Sequence, residues 1–232
     1  MSWLVPPRRP SRELLDDPDL PSGEMRRSLE DIDLVHRRWG GSRALVRHLE
    51  PRLRALGRPA SILDVGAGSA TVARRLRASL SGAAGKVQVV ALDAQWRHLV
   101  AGRHFPPREP VPLVGADAFR LPFQKRVFDF AVSTLFFHHF SPAENQAILG
   151  ELSRVSRHGF AVLDLRRHIV PELALRLAGH VLFRAQTSIL DGIASVRQAY
   201  TTEEARNIAR SVIPTARAVR VFPYGLLVTG EA

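Results

Sequence analysis

The part of the sequence with the clearest chemical meaning is a glycine turn, Asp64-Val65-Gly66-Ala67-Gly68, which follows an apolar run that begins at Ser61. Because glycine has no Cβ atom, Gly66 and Gly68 allow the backbone to turn sharply and to lie directly against a ligand. In open α/β sheets, such turns lie at the carboxyl ends of strands, where ligands bind. A dinucleotide fingerprint would require a third glycine at position 71, and the Thr71 found there argues against a pyrophosphate ligand.

Acidic residues follow the next two predicted strands. Asp93 comes directly after the run Val87 to Leu92, and Asp117 follows the run Val111 to Val114. A carboxylate at such a position can accept hydrogen bonds from both hydroxyl groups of a ribose. Each acid could instead cap the N-terminus of a helix, and for Asp117 this alternative stays open. Acids at three successive strand ends, Asp64 included, indicate one ligand pocket at the edge of a sheet.

Two adjacent histidines follow the fourth predicted strand, in the stretch Phe136-Phe137-His138-His139-Phe140. Imidazole has an unperturbed pKa near neutrality, so either side chain could take a proton from a phenolic hydroxyl, whose own pKa is about 10. Three alternatives stay open at this point: His138 is a general base, His139 is a general base, or both have structural roles.

The order of predicted elements is typical of an α/β domain. From Pro59 onward, short apolar runs alternate with helical segments, which predicts parallel strands joined by right-handed crossovers. The first five runs are Ser61 to Val65, Val87 to Leu92, Val111 to Val114, Val127 to Ser133 and Phe160 to Leu165. Two closing runs, Ala216 to Phe222 and Gly225 to Thr229, lie so close together that one strand is expected to be antiparallel.

The remaining segments are predicted to be irregular or helical. Residues 1–24 are an irregular lead-in, and Glu24 to Leu56 has apolar residues at helical spacing, interrupted at Gly40-Gly41, which predicts two helices. We therefore divide the chain into an N-terminal lead-in and helical cap, residues 1–58, and a main domain, residues 59–232, with a lid insertion around residues 169–200. The Thr201-x-x-Glu204 pattern predicts a capping box at the start of a further helix.

The composition limits the chemistry of the chain. Its 232 residues include no cysteine, which excludes disulfides, thiolate zinc sites and cysteine nucleophiles, and we expect no bound metal. The net charge of +11 comes mostly from arginines that are spread among acidic residues, which argues against a nucleic-acid partner. We find neither a leader segment nor an apolar run of the roughly 18 residues that a membrane span needs, and we expect a cytoplasmic protein. Monomer and homodimer stay open.

The motifs in this order resemble the class I S-adenosylmethionine-dependent methyltransferases: the glycine turn, the acid after the second strand, Gly115-Ala116-Asp117-Ala118, Leu121-Pro122-Phe123 and Phe128-Asp129. The resemblance covers Pro59 to Leu165. It implies a Rossmann-like α/β fold, with a seven-stranded, mostly parallel sheet, one antiparallel strand near the C-terminus, helices on both faces and an N-terminal helical cap. Ala70 stands where many members have a third glycine.

The same resemblance implies S-adenosylmethionine as the cofactor and assigns residues to it. Asp64, Gly66 and Gly68 would shape the pocket for the methionine and ribose parts, and Asp93 would hold the ribose hydroxyls. Asp117, with the backbone of Ala118, would contact adenine. The other cofactor-binding candidates are Ala67, Ala94, Ser133 and Thr134.

Narrower resemblances concern the acceptor. The histidine pair resembles the Leu-His-His stretch of quinone-biosynthesis methyltransferases. Three further segments, at residues 13–18, 164–167 and 191–201, resemble a bacterial subgroup associated with type III polyketide and phenolic-lipid gene sets. This resemblance implies substrate roles for Asp164, Arg167 and Tyr200 and an apolar lid, although a salt bridge that ties the fifth strand to that lid is an equal alternative for Asp164 and Arg167. Trp39, next to Gly40-Gly41, is either a cover of the site or part of the core.

The sequence thus predicts an S-adenosylmethionine-dependent methyltransferase of secondary metabolism that acts on a small apolar or aromatic acceptor. The expected methylation site is a phenolic or enolic hydroxyl. Two alternatives stay open. An RNA methyltransferase would account for the basic charge, although no RNA-binding module is apparent, and a non-catalytic S-adenosylmethionine-binding protein would retain the same cofactor motifs.

Overall fold

A computed structural model describes residues 4–38, 41–82 and 86–231 of the chain. Seven strands form one sheet: β1 (Ala60–Val65), β2 (Val87–Asp93), β3 (Leu113–Gly115), β4 (Phe130–Thr134), β5 (Phe160–Leu165), β6 (Arg217–Val221) and β7 (Gly225–Gly230). The α-helices of the described residues are α1 (Ser22–Arg38), α2 (Gly41–Ala55), α3 (Thr71–Ser81), α4 (Trp96–Ala101), α5 (Pro142–Val155), α6 (Ile169–Leu182), α7 (Gln186–Gln198) and α8 (Thr202–Arg210).

The strand order is β3-β2-β1-β4-β5-β7-β6, and β7 is antiparallel to both of its neighbours. The predicted fold class, including the antiparallel strand near the C-terminus, is therefore confirmed. The order reverses between β1 and β4, whose ends lie side by side with Val65 opposite Ser133. In open α/β sheets the crevice at such a reversal is where ligands bind.

Two apolar cores, one on each face, hold this sheet. Successive side chains of β1 point to opposite faces of the sheet, so Ile62 packs in one core while Leu63 and Val65 pack in the other. Leu45, Leu49 and Leu53 of α2 are fully buried in the same core as Ile62. The boundary between residues 58 and 59 remains a prediction, but α2 shares its core with the sheet.

Helix α7 begins at Gln186, inside the lid insertion that is predicted around residues 169–200. The carboxylate of Asp31, on α1, accepts hydrogen bonds from the backbone N–H groups of Arg184 and Ala185 and from the hydroxyl of Ser188. It caps the start of α7 and separates it from α6. A cap from a residue about 150 positions away leaves no local signal, so the break was not predicted. At α8, by contrast, the Thr201 and Glu204 capping box forms as expected.

The lead-in contributes directly to the site. Residues 4–20, which we call the strap, have little regular structure apart from a 3-10 turn, Leu14–Asp16, and cross the carboxyl edge of the sheet. Arg8 fixes one part of the strap by donating to the carbonyl groups of His138, Phe140 and Gln198. Among the described residues, no helix is long and apolar enough to cross a bilayer.

Candidate functional site

The glycine turn connects β1 to α3 through three residues with left-handed backbone. Gly66 has φ +69°, Gly68 has φ +51° and Ala70 has φ +57°. A Cβ atom built on Gly68 would meet no atom within 4 Å, whereas one on Gly66 would lie 2.4 Å from the ring of Phe136. Gly68 therefore leaves open space for a ligand, and Gly66 allows the aromatic ring to approach the backbone.

Asp93 connects this turn to the end of β2. Its two carboxylate oxygens accept hydrogen bonds from the backbone N–H groups of Gly68 and Gln95, both at 2.7 Å. Burial raises the pKa of Asp93, and the two hydrogen bonds oppose that shift. Each carboxylate oxygen can accept a second hydrogen bond, so the group remains able to bind a pair of hydroxyls.

A cavity of about 840 Å³, which we call the first cavity, lies at this edge of the sheet. The predicted cofactor residues that line it are Gly66, Ala67, Gly68, Asp93, Ala94, Asp117, Ala118 and Thr134. Asp64 and Ser133 do not line it, but both have fully buried side-chain oxygens without a hydrogen-bond partner in the described part of the chain. Burial and the nearby Asp93 raise the pKa of Asp64 to about 8.

The strap forms the roof of the first cavity, to which residues 11–18 contribute. Asp191 of α7 anchors it by accepting the backbone N–H groups of Leu14, at 2.7 Å, and Leu15, at 2.9 Å. On the opposite side, the guanidinium of Arg97 donates to three strap carbonyl groups. Two of the sequence segments that the subgroup resemblance linked, residues 13–18 and 191–201, therefore meet in space.

His138 lies between two carboxylates. Its Nδ1 atom is 2.6 Å from Asp164 Oδ1, its backbone N–H donates to Asp164 Oδ2, and its Nε2 atom is 3.4 Å from Glu13 Oε1. Burial alone would disfavour a positive charge, but Asp164 and Glu13 outweigh it and raise the pKa of His138 to about 10. At neutral pH the ring is thus protonated in the absence of a ligand, which argues against His138 as a general base.

His139 stacks on His138 with ring centroids 4.4 Å apart. Burial and the neighbouring His138 lower its pKa. Its Nε2 atom lies 3.8 Å from Glu13 Oε2. Burial would raise the pKa of Glu13, but the two histidines lower it to about 2, and the carboxylate is ionised. Both histidines line the first cavity, as does Glu13.

A second cavity, of about 360 Å³, lies beyond the end of β5. Its walls are mainly apolar side chains of α1, α6 and α7 and of the turn between β6 and β7, among them Val35, Leu175, Phe183, Val196 and Phe222. The second cavity adjoins the first, because both are lined by Glu13, Leu15, Ile32, His36, Leu135, Leu165 and Ser195. Leu135, in this shared wall, has φ +50°, a strained conformation for a branched residue.

His36 is a candidate that the sequence reasoning missed. It is 5% exposed and borders both cavities, and neither ring nitrogen has a hydrogen-bond partner among the described residues. Burial, assisted by Arg75, lowers its pKa to about 4, so the ring is neutral. Its spacing from Leu29 and Ile32 placed it on the buried face of α1, and a histidine on that face was the available signal.

The other predicted substrate residues have different surroundings. Asp164 lines the second cavity, but its carboxylate is held by His138. Arg167 donates to the carbonyl groups of Pro6 and Ala199 and to Glu204, and it lines neither cavity. Tyr200 also lines neither, and its hydroxyl donates to the carbonyl of Phe140. The predicted substrate roles of Arg167 and Tyr200 gain no support from these contacts and stay predictions. Trp39 lies outside the described residues.

Comparison with known proteins identifies the domain. Residues 62–159 match the family described as a methyltransferase domain. This chain contains a methyltransferase domain. No protein of curated function is significantly similar to it in sequence. The methyltransferase prediction, and with it the assignment as an enzyme, is confirmed, and its finer subgroup stays a prediction.

Solved structures show the same fold at low sequence identity. A SAM-dependent methyltransferase from Aquifex aeolicus is 20% identical, with a TM-score of 0.52, over 74% of this chain and 81% of its own. The plantazolicin methyltransferase BamL, solved with a triazolic desmethylPZN analog and SAH, is 16% identical, with a TM-score of 0.57, over 82% and 72%. Magnesium protoporphyrin IX methyltransferase from Synechocystis PCC 6803, solved with SAM, is 12% identical, with a TM-score of 0.56, over 92% and 91%.

The first cavity fits S-adenosylmethionine as the cofactor. The open space over Gly68 accommodates a ligand against the backbone, and Asp93 can accept hydroxyl groups. The ionised carboxylate of Glu13 also faces this cavity.

Proposed function

We propose that this methyltransferase methylates a hydroxyl oxygen, phenolic or enolic, of a small apolar or aromatic acceptor that binds in the second cavity. The observation that carries the proposal is the apolar cavity of about 360 Å³ that adjoins the first cavity. Its volume lies within the range of about 300–1,000 Å³ that is usual for small-molecule sites. An acceptor bound there would present its reactive group to the shared wall, next to the cofactor.

Three acidic side chains that line the second cavity are engaged by the protein itself. Asp31 and Asp191 each use their carboxylate oxygens to accept backbone N–H groups, and Asp164 is held by His138. These three carboxylates are therefore not available to a ligand, whereas Arg166, whose Nε atom has no partner among the described residues, also lines the cavity. A nucleic acid would require an exposed basic surface instead, so the RNA alternative gains no support from this cavity.

His36 is the side chain that we assign to the hydroxyl group. A neutral imidazole with a free nitrogen accepts a hydrogen bond from a hydroxyl, which orients the oxygen lone pair towards the cofactor. When bound, S-adenosylmethionine supplies a methyl group on a positively charged sulfur. The proton of an oxygen that is being methylated becomes strongly acidic, so even the weakly basic His36 can accept it.

The test is methyl transfer from labelled S-adenosylmethionine to a series of phenols of decreasing pKa. We expect His36→Gln to lower kcat by about 100-fold for weakly acidic phenols and much less for phenols that are already ionised. Affinity for S-adenosylhomocysteine should remain within about twofold. His48→Gln is the matched control, because His48 also has a pKa lowered to about 4 by burial but lines neither cavity.

Two outcomes would contradict the proposal. Equal activity of the wild type and His36→Gln on every phenol would remove His36 from the reaction. Transfer of the label to RNA, with no transfer to phenols or enols, would favour the RNA alternative.

A further inference from the structure

Glu13, His138 and His139 bring three potential metal ligands together beneath the strap. In the described part of the chain, one ligand atom from each of the three lies within 4.8 Å of the other two. The Nε2 atoms of His138 and His139 lie 3.4 Å and 3.8 Å from the carboxylate oxygens of Glu13. Since the two rings are stacked, both Nε2 atoms face the same carboxylate.

His138 supplies an independent indication of a ligand. Its Nε2 atom is fully buried and makes no hydrogen bond within the described residues, with Glu13 Oε1 3.4 Å away, while its Nδ1 atom is held by Asp164 at 2.6 Å. A buried polar atom without a partner is costly. Metal-bound histidines usually donate their other ring N–H to a carboxylate, as Nδ1 of His138 can to Asp164. The Nδ1 atom of His139 likewise lies 3.6 Å from a carboxylate, that of Asp16.

We propose that Glu13, His138 and His139 bind a divalent first-row transition metal of the zinc class. In a tetrahedral zinc site with bonds of about 2.0–2.1 Å, donor atoms lie roughly 3.3 Å apart. The separations of 3.4 Å and 3.8 Å between the histidines and Glu13 exceed this by at most about half an ångström, and all three ligand atoms lie within 4.8 Å of one another. Two imidazoles and one carboxylate suit Zn²⁺, Co²⁺, Ni²⁺ or Fe²⁺ and do not suit Mg²⁺ or Ca²⁺.

The surrounding charge is suitable for such an ion. Glu13, Asp16 and Asp164 lie around the two imidazoles, so a dication would offset much of the negative charge that they carry when ionised. The metal would replace the proton of His138. Because all three ligands line the first cavity, the remaining coordination position would face that cavity.

The ion would also fasten the strap. Glu13 belongs to the strap, whereas both histidines belong to the turn Phe137–His139 after β4. Coordination would therefore link two segments that are more than 120 residues apart in sequence, in addition to the hydrogen bonds that Glu13 already accepts from Ser195 and Gln198. This inference does not depend on the identity of the methyl acceptor.

The test is calorimetric titration of the metal-free protein with Zn²⁺ and, separately, with Co²⁺. We expect one equivalent to bind, with an affinity reduced by at least about 100-fold in His139→Gln and by about 10- to 100-fold in Asp164→Asn. His139 is partly exposed, so this variant is expected to fold, and His158→Gln is the control because His158 is a half-exposed histidine remote from the cluster. Hydrogen exchange of the Leu14 and Leu15 amides should slow with Zn²⁺ in the wild type and not in His139→Gln.

Three outcomes would overturn the inference. These are no binding of either ion, binding that His139→Gln leaves unchanged, and binding that His158→Gln weakens as much as His139→Gln does. The second and third would assign the ion to other surface histidines.

Discussion

The close contact between Gly66 and Phe136 allows a quantitative prediction. In Gly66→Ala, the new Cβ atom would lie 2.4 Å from two carbons of the Phe136 ring, so the ring would have to move by about an ångström. The residue would also have to keep φ near +69°, where alanine is disfavoured. From the sequence alone, a side chain at Gly66 was expected to enter the path of the ligand, but the structure shows that it would meet Phe136 first.

The backbone strain and the clash with the ring both destabilise the variant. The left-handed conformation costs roughly 1–2 kcal/mol for alanine, and overpacking against a ring costs about 1–3 kcal/mol. We therefore expect Gly66→Ala to lower the free energy of unfolding by about 2–5 kcal/mol. Gly68→Ala is the matched control, because it has φ +51° but open space around its Cβ position, and it should cost only about 1–2 kcal/mol.

A double-mutant cycle separates the two effects. Urea unfolding at 25 °C should be measured for Gly66→Ala, Phe136→Ala and the double variant. Because Phe136→Ala removes the clash but not the backbone strain, the loss in the double variant should be smaller than the sum of the single losses by about 1–3 kcal/mol. Strictly additive losses would show that the ring does not limit this position, and the steric reasoning would then be wrong.

Three further predictions concern stability. Burial would raise the pKa of Asp129, but hydrogen bonds from Arg58 and Ser61 lower it to about 2. Its contribution to the free energy of unfolding is therefore present above about pH 4 and lost as the pH falls through 2. In urea unfolding, Asp129→Asn should lower the free energy of unfolding by about 1–3 kcal/mol at pH 7 and by little at pH 2. Equal losses at the two pH values would contradict this. Arg167→Ala should lower the melting temperature and leave the KM for the acceptor unchanged, whereas a raised KM would support its predicted substrate role. Ala70→Gly should leave the free energy of unfolding unchanged or raise it by up to about 1 kcal/mol, since the relief of backbone strain at φ +57° offsets the loss of the buried methyl group. A loss of more than about 1 kcal/mol in urea unfolding would exclude backbone strain at Ala70.

Much of the sheet could be predicted because its signals are local. The run Phe160 to Leu165 has the bounds of β5, since a central strand must be apolar on both faces. The fourth run was predicted to start at Val127, but β4 starts at Phe130. Arg126 has φ +58°, and Val127 is 40% exposed, so neither residue continues the strand. The chain joins the sheet just after Asp129, whose carboxylate accepts the backbone N–H of Ser61.

The candidate site could be predicted only in part, because only some of its residues have signals that are local in the sequence. The glycine turn and Asp93 each lie next to a strand end, so their positions follow from the strands. The protonation of His138 depends on Glu13 and Asp164, which come from distant parts of the chain. His36 gains its position from a cavity that three helices and a hairpin turn enclose together. Sequence spacing within one element contains no information about such partners.

The strap also determines the order in which the molecule can be completed. Its anchors are among the longest-range contacts of the chain, with 190 positions between Arg8 and Gln198. During synthesis, the strap leaves the ribosome before α7 does, so it cannot dock until α7 has followed. The entropic cost of closing so long a loop is offset by contacts only when the sheet and α7 are already in place. The roof over the first cavity is therefore the first part of the site to be made and the last to be assembled.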